Sequence, residues 1–149
     1  MAATSGRPGA GTTVLGVTAT SRLKDIVIDA RYPAALARFW ATVLGYHVRP
    51  YVQDDLAFLA SIGRSPDSDP AVAIDPPDGV TGPSVFFNEV PEAKTVKNRV
   101  HLDVWLPGRE IEPLVGLGAR VLRAPDDDID WWVVADPEGN EFCAFPVRP

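Results

Sequence analysis

The chain of 149 residues contains one cysteine, Cys143, so no disulfide can close within it and a buried core has to hold the fold. Imidazoles are nearly as scarce, with only His47 and His101. Cations are outnumbered, 14 Lys and Arg against 20 Asp and Glu, and the formal net charge is −6. That balance speaks against a nucleic-acid partner, which needs clustered Lys and Arg. The one locally basic stretch, Lys94 to Arg99, carries three cations in six residues and does not overturn it. No apolar run approaches the ~18 residues of a membrane span. Residues 1–21, rich in Gly, Ser, Thr and Ala, lack the charged start and continuous apolar stretch of a signal peptide and read as a flexible tail. A lone thiol and no span or leader fit a cytoplasmic protein with no membrane partner. Several catalytic signatures are also missing: there is no G-x-S-x-G elbow, Walker loop, H-E-x-x-H or C-x-x-C.

What is present is enough for a core. Hydrophobic residues make up 46% and charged residues 23%, while fifteen prolines and twelve glycines imply many turns between short elements. "LKDIVIDA" (Leu23 to Ala30) predicts a strand. "YPAALARFWATVLGYHV" predicts a helix: Pro33 suits its first turn, Leu36, Phe39, Trp40, Val43 and Leu44 recur at three- and four-residue steps, and Gly45 is placed to stop it. Tyr46 to Val52, Leu56 to Ile62, a short Ala71 to Ile74 and "PSVFFNEV" read as strands between loops. "RVHLDVWL" is again a strand. "GREIEPLVGLGARVL" predicts a helix with the stripe Ile111, Leu114, Val115 and Leu117, although Pro113 fits only its first turns. "ARVLRA" follows as a strand, and "DWWVVADPEGNEFCAFPV" as a hairpin turning at Asp136 to Asn140.

The two halves share an order. Asp25 and His101 start equivalent strands 76 residues apart, and the Leu-Gly helix ends at Gly45 and Gly118 are 73 apart. Internal duplication on that scale predicts an α+β fold of two tandem βαβββ modules, residues 22–92 and 98–149, whose sheets form a cup.

With "ALARFWATVLGYHV", "KTVKNRVHLDV" and "DPEGNEFCAF" in view, the chain resembles the vicinal oxygen chelate superfamily of glyoxalases, bleomycin-resistance proteins and extradiol dioxygenases. More narrowly it is similar to bacterial glyoxalase-like domain proteins of the actinobacterial type, where Phe-Trp precedes Leu-Gly. The resemblance runs from about Leu23 to Val147. It implies a divalent metal held in the cup by side chains on the first and last strands of each module. Carried over, those positions are Asp25 and His101, with Asn88 matched through Pro91 and Pro146, and Cys143 standing where the family has a carboxylate. Loss of that anionic oxygen speaks against the usual metal site, and a single divalent ion, if held, would fall to Asp25 and His101.

Period-two alternation then sorts the strands, with His101 facing inward. Asp25, Val27, Asp29, Ser84, Phe86, Asn88, Asp103, Trp105, Glu141, Cys143 and Phe145 share the cup face. Ile26, Ile28, Leu102, Val104 and Phe142 lie beneath the helices. Ligand contacts are expected from Asp29, Phe86, Asn88, Arg99, Asp103, Trp105, Cys143 and Phe145, and catalysis, if any, from His101 and Asp25. Trp131 and Trp132 point to opposite faces; Trp132 is placed with the ligand contacts, though alternation alone does not choose between them. Lys94 and Lys97 either gather an anionic ligand at the mouth or are simply solvated. The function expected is binding of a small aromatic or carbonyl-bearing molecule in the cup, without the usual metal site. Two alternatives stand beside it: a metal-dependent lyase, isomerase or ring-cleaving dioxygenase, and a drug-sequestering resistance protein. The resemblance also implies a homodimer.

Overall fold

Residues 21–147 are described by the structure, a computed structural model. The tail reading of residues 1–21 therefore falls, Ser21 apart, outside the described residues. The first module runs β1 (Asp25–Ala30), α1 (Pro33–Leu44), β2 (His47–Val48), α2 (Gln53–Ser61), β3 (Ala71–Asp75) and β4 (Ser84–Glu89). The second runs β5 (Asp103–Leu106), α3 (Glu112–Gly116), β6 (Arg120–Arg123), β7 (Trp132–Ala135) and β8 (Glu141–Pro146). Their sheets have the same strand order, β1-β4-β3-β2 and β5-β8-β7-β6, each with its first strand parallel to its last. The duplication read from the sequence is thus a duplication of topology. No helix among the described residues is long and apolar enough to cross a membrane.

Helix α1 forms as its sequence predicts. Pro33 occupies the first turn, where its missing N–H leaves no hydrogen bond unmade, and Gly45 ends the helix in the left-handed region at φ 66°. Its inner stripe buries Leu36, Ala37, Phe39, Trp40 and Ala41. Trp40 meets Phe142 of β8 with ring centroids 4.9 Å apart, and Phe39 meets the same ring edge-on at 6.3 Å. A helix of the first half is therefore roofed by a strand of the second, and one apolar cluster runs through both modules.

The "DPEGN" turn fastens that joint. Asp136, only 3% exposed, accepts the backbone N–H of Glu138 and Asn140, both at 2.9 Å, so its carboxylate builds the turn between β7 and β8. Its second oxygen accepts the Asn140 side-chain amide at 2.9 Å and the Trp40 indole N–H at 3.0 Å. Glu138 reaches the other way. Its carboxylate accepts the N–H groups of Arg31 at 2.6 Å and Tyr32 at 2.7 Å, just before α1.

Four expectations change. Leu56 to Ile62 is not a strand but most of α2. The first-turn acids Asp54 and Asp55 favour a helix N-terminus, and Asp55 accepts the Val52 N–H at 3.0 Å. The strand at Tyr46 to Val52 shrinks to His47–Val48, because Pro50 offers no N–H to a ladder. The second helix keeps only Glu112–Gly116; Ile111 and Leu114 are buried, but Val115 and Leu117 are exposed. Finally, β5 begins at Asp103, so His101 precedes the strand rather than starting it.

Candidate functional site

A cavity of about 400 Å³ opens at the junction of the modules. β1 lines it with Ile26, Val27, Ile28 and Asp29, and β8 with its approach contributes Asn140, Glu141 and Phe142. Asn98, Arg99, Val100 and Leu102, from the segment joining the modules, form a further wall, and Trp40 closes it from the α1 side. Residues of both faces of β1 line the cavity because β1 is an edge strand, paired only to β4.

Glu141 fixes the connecting segment in place. Its carboxylate accepts the Asn98 N–H at 3.0 Å and meets the Lys94 ammonium at 2.9 Å. Those two contacts, the Asn98 N–H first, hold Glu141 down at about 2. Lys94 thus serves the fold and is not free to gather a ligand. His101 is half-buried in the same segment, its Nε2 3.1 Å from the Asn98 carbonyl oxygen and 3.4 Å from the Lys97 ammonium.

On the open face of the first module, Arg49 makes a two-point contact with Asp75, at 2.8 and 2.7 Å, and lies over the Phe86 ring at 5.1 Å. The Ser84 hydroxyl donates to Asp75 at 2.6 Å. The Arg49 hydrogen bonds, with help from Ser84, hold Asp75 at about 2. Asp25, at the start of β1, pairs with Lys24 and adds to the negative field at Arg49. Asn88 stands opposite Asp29 in the β1–β4 register.

The open face of the second module is aromatic. Phe145 stacks on Trp131 with centroids 5.3 Å apart, and Trp105 meets Phe145 edge-on at 6.0 Å. Trp105 is 71% exposed. With Asp103 and Val104, Trp105 and Phe145 line a second hollow of about 200 Å³. Cys143 lies among these groups, in contact with Asp103 and Trp131, and burial followed by the Asp103 charge pushes its thiol up.

Several expected site residues are redistributed. Asp29 and Arg99 line the inter-module cavity; Asp103, Trp105 and Phe145 line the second hollow; Phe86 supports Arg49. Trp132 does not join them. It pairs with Ala144 and packs against the core, which leaves Trp131 as the tryptophan on the Phe145 side. Asp25 and His101 line neither hollow, and no hydrogen bond or ion pair joins them. The proline match that equated Asn88 with Cys143 also shifts. Cys143 pairs with Asp103, two residues past His101, and the residue so related to Asp25 is Phe86, opposite Val27.

A divalent ion does not suit these donors. Asp25 is engaged by Lys24 and lies in the field of Arg49, His101 shares its Nε2 with a carbonyl and an ammonium, and Cys143 offers a soft sulfur rather than a hard oxygen. Among the described residues, no group of three or more His, Cys, Asp and Glu is arranged to hold a metal. Sequence reasoning missed Arg49 and Asp75, and it could not choose Trp131 over Trp132. Only the β2–β3 pairing joins Arg49 to Asp75, and no local motif announces it.

A family model described as "Glyoxalase-like domain" matches residues 25–145, which spans both modules. No curated protein matches the chain. Among solved structures, a glyoxalase/bleomycin resistance protein/dioxygenase family enzyme from Burkholderia phytofirmans is 22% identical, with a TM-score of 0.53 over 83% of this chain and 97% of that one. A possible glyoxalase from Bacillus cereus is 14% identical, with a TM-score of 0.55 over 85% and 99%. A fosfomycin resistance protein from Mesorhizobium loti is 11% identical, with a TM-score of 0.55 over 87% and 94%. At these identities the structures speak for a shared fold. The family match extends across the duplicated architecture, and the chain belongs to the glyoxalase-like domain family.

Proposed function

We propose that the chain binds a small aromatic or carbonyl-bearing molecule in the cavity between its modules, and does so without the divalent-metal site of the wider superfamily. One observation carries this reading: a cavity of about 400 Å³ with walls from both modules, mainly apolar and holding a few polar groups. That mixture is the ordinary make-up of a ligand pocket. A packing defect in a core would lack the charged rim that Asp29, Arg99 and Glu141 provide. Binding is better supported than turnover, since His101 and Asp25, the residues expected to act as acid, base or ligand, do not reach this space.

Trp40 lines the cavity and supplies an internal reporter. Titration with a panel of aromatic aldehydes and ketones is expected to give saturable changes in tryptophan emission. Ile28→Trp, which fills the cavity, is expected to abolish them while the far-ultraviolet dichroism is kept. Elemental analysis of protein purified without chelator is expected to find metal well below one equivalent. The reading is wrong if no panel member binds saturably, or if stoichiometric metal is present and is lost in His101→Ala.

A further inference from the structure

Two opposite charges line the cavity, and neither has a partner among the described residues. Asp29 comes from β1 and Arg99 from the connecting segment; both are exposed, and neither makes a hydrogen bond or ion pair with any described residue. The other charged side chain lining the cavity, Glu141, is occupied by Lys94 and the Asn98 N–H. Most of the remaining lining is apolar, Ile26, Ile28, Leu102 and Phe142 included.

On the reading that this cavity is the ligand site, we propose that it selects a small zwitterion with an apolar body. The cationic nitrogen of such a ligand meets Asp29, its carboxylate or other oxyanion meets the planar Arg99 guanidinium, and its body lies against Ile28, Leu102 and Phe142. The selection follows from solvation. A neutral ligand strips water from both charges and returns nothing to them. A ligand with one charge satisfies one side chain and leaves the other desolvated without a counter-charge. A zwitterion replaces the lost water at both side chains with charge-assisted hydrogen bonds, and the guanidinium fork suits a carboxylate in particular.

Calorimetric titration with four matched probes tests this: phenylalanine, 2-phenylethylamine, 3-phenylpropionate and 3-phenylpropan-1-ol. Phenylalanine is expected to bind roughly tenfold or more tighter than any of the other three. Asp29→Asn is expected to remove the preference for phenylalanine over 3-phenylpropionate, and Arg99→Gln the preference over 2-phenylethylamine. Both positions are exposed, so both variants retain the fold, and thermal melting checks this. Equal binding of the four probes, tighter binding of a singly charged or neutral probe, or a preference untouched by both substitutions overturns the zwitterion and leaves the cavity reading in place. If neither these probes nor the carbonyl panel bind, both readings fall.

Discussion

The indole N–H of Trp40 donates to the Asp136 carboxylate at 3.0 Å, across 96 residues of sequence and across the boundary between modules. The same carboxylate accepts two backbone N–H groups of its own turn, so a single buried side chain shapes the β7–β8 hairpin and ties it to α1. The pairing gives the "FW" and "DPEGN" segments a structural purpose that needs no chemistry at the cavity.

Asp136→Ala leaves the indole, the Asn140 side-chain amide and two turn N–H groups without their acceptor. Hydrogen bonds to a buried charge are worth about 1.5–3 kcal/mol each, so a loss of about 3 kcal/mol or more is expected in urea unfolding. Trp40→Phe removes one donor and leaves the turn intact, and about 1–3 kcal/mol is expected for it. Equal losses for the two variants would contradict the dual role of Asp136.

Stability is expected to fall on the acid side in a defined window. Glu141 and Asp75 are both held at about 2 in the fold, against ordinary values of 4.5 and 3.8. Between those values and about 2 the unfolded chain binds more protons than the native one, so their contribution is complete above about pH 4.5 and is lost as the pH falls towards 2. Urea midpoints measured from pH 7 down to 2 check the slope. Glu141→Gln and Asp75→Asn are each expected to lower stability at neutral pH and to flatten that acid limb.

Cys143 is expected to alkylate slowly for a partly exposed thiol. Burial and Asp103 both disfavour its thiolate, so at pH 8 iodoacetamide should react more slowly with native protein than with protein in urea. Asp103→Asn removes the neighbouring charge and should speed the native reaction. A native rate matching the unfolded one, or an unchanged rate in the variant, would contradict the assigned surroundings.

The sequence made the duplicated order legible because both helix ends and the Asp136 turn are written in local chemistry: a first-turn proline, a stopping glycine, an Asx-type turn. It misled at α2. Leu56 and Phe58 imitate strand alternation, yet the leucines and alanines there are helix formers, and Asp54 and Asp55 marked the start. The site was legible only in outline. Alternation correctly set the buried Val104 and Phe142 against the exposed Val27 and Trp105. It could not tell which hollow a residue lines, because that depends on how the edge strand β1 meets the connecting segment, a contact between distant parts of the chain. Arg49 and Asp75, and the choice of Trp131 over Trp132, were hidden for the same reason.

A chain built from two like halves invites the thought that either could stand alone. Phe142 of the second half packs against Phe39 and Trp40 of the first, within one continuous apolar cluster. Severed at the connecting segment, each piece would show water the surface its sister now covers. Heating should therefore melt the pair in one cooperative step, not as two independent repeats.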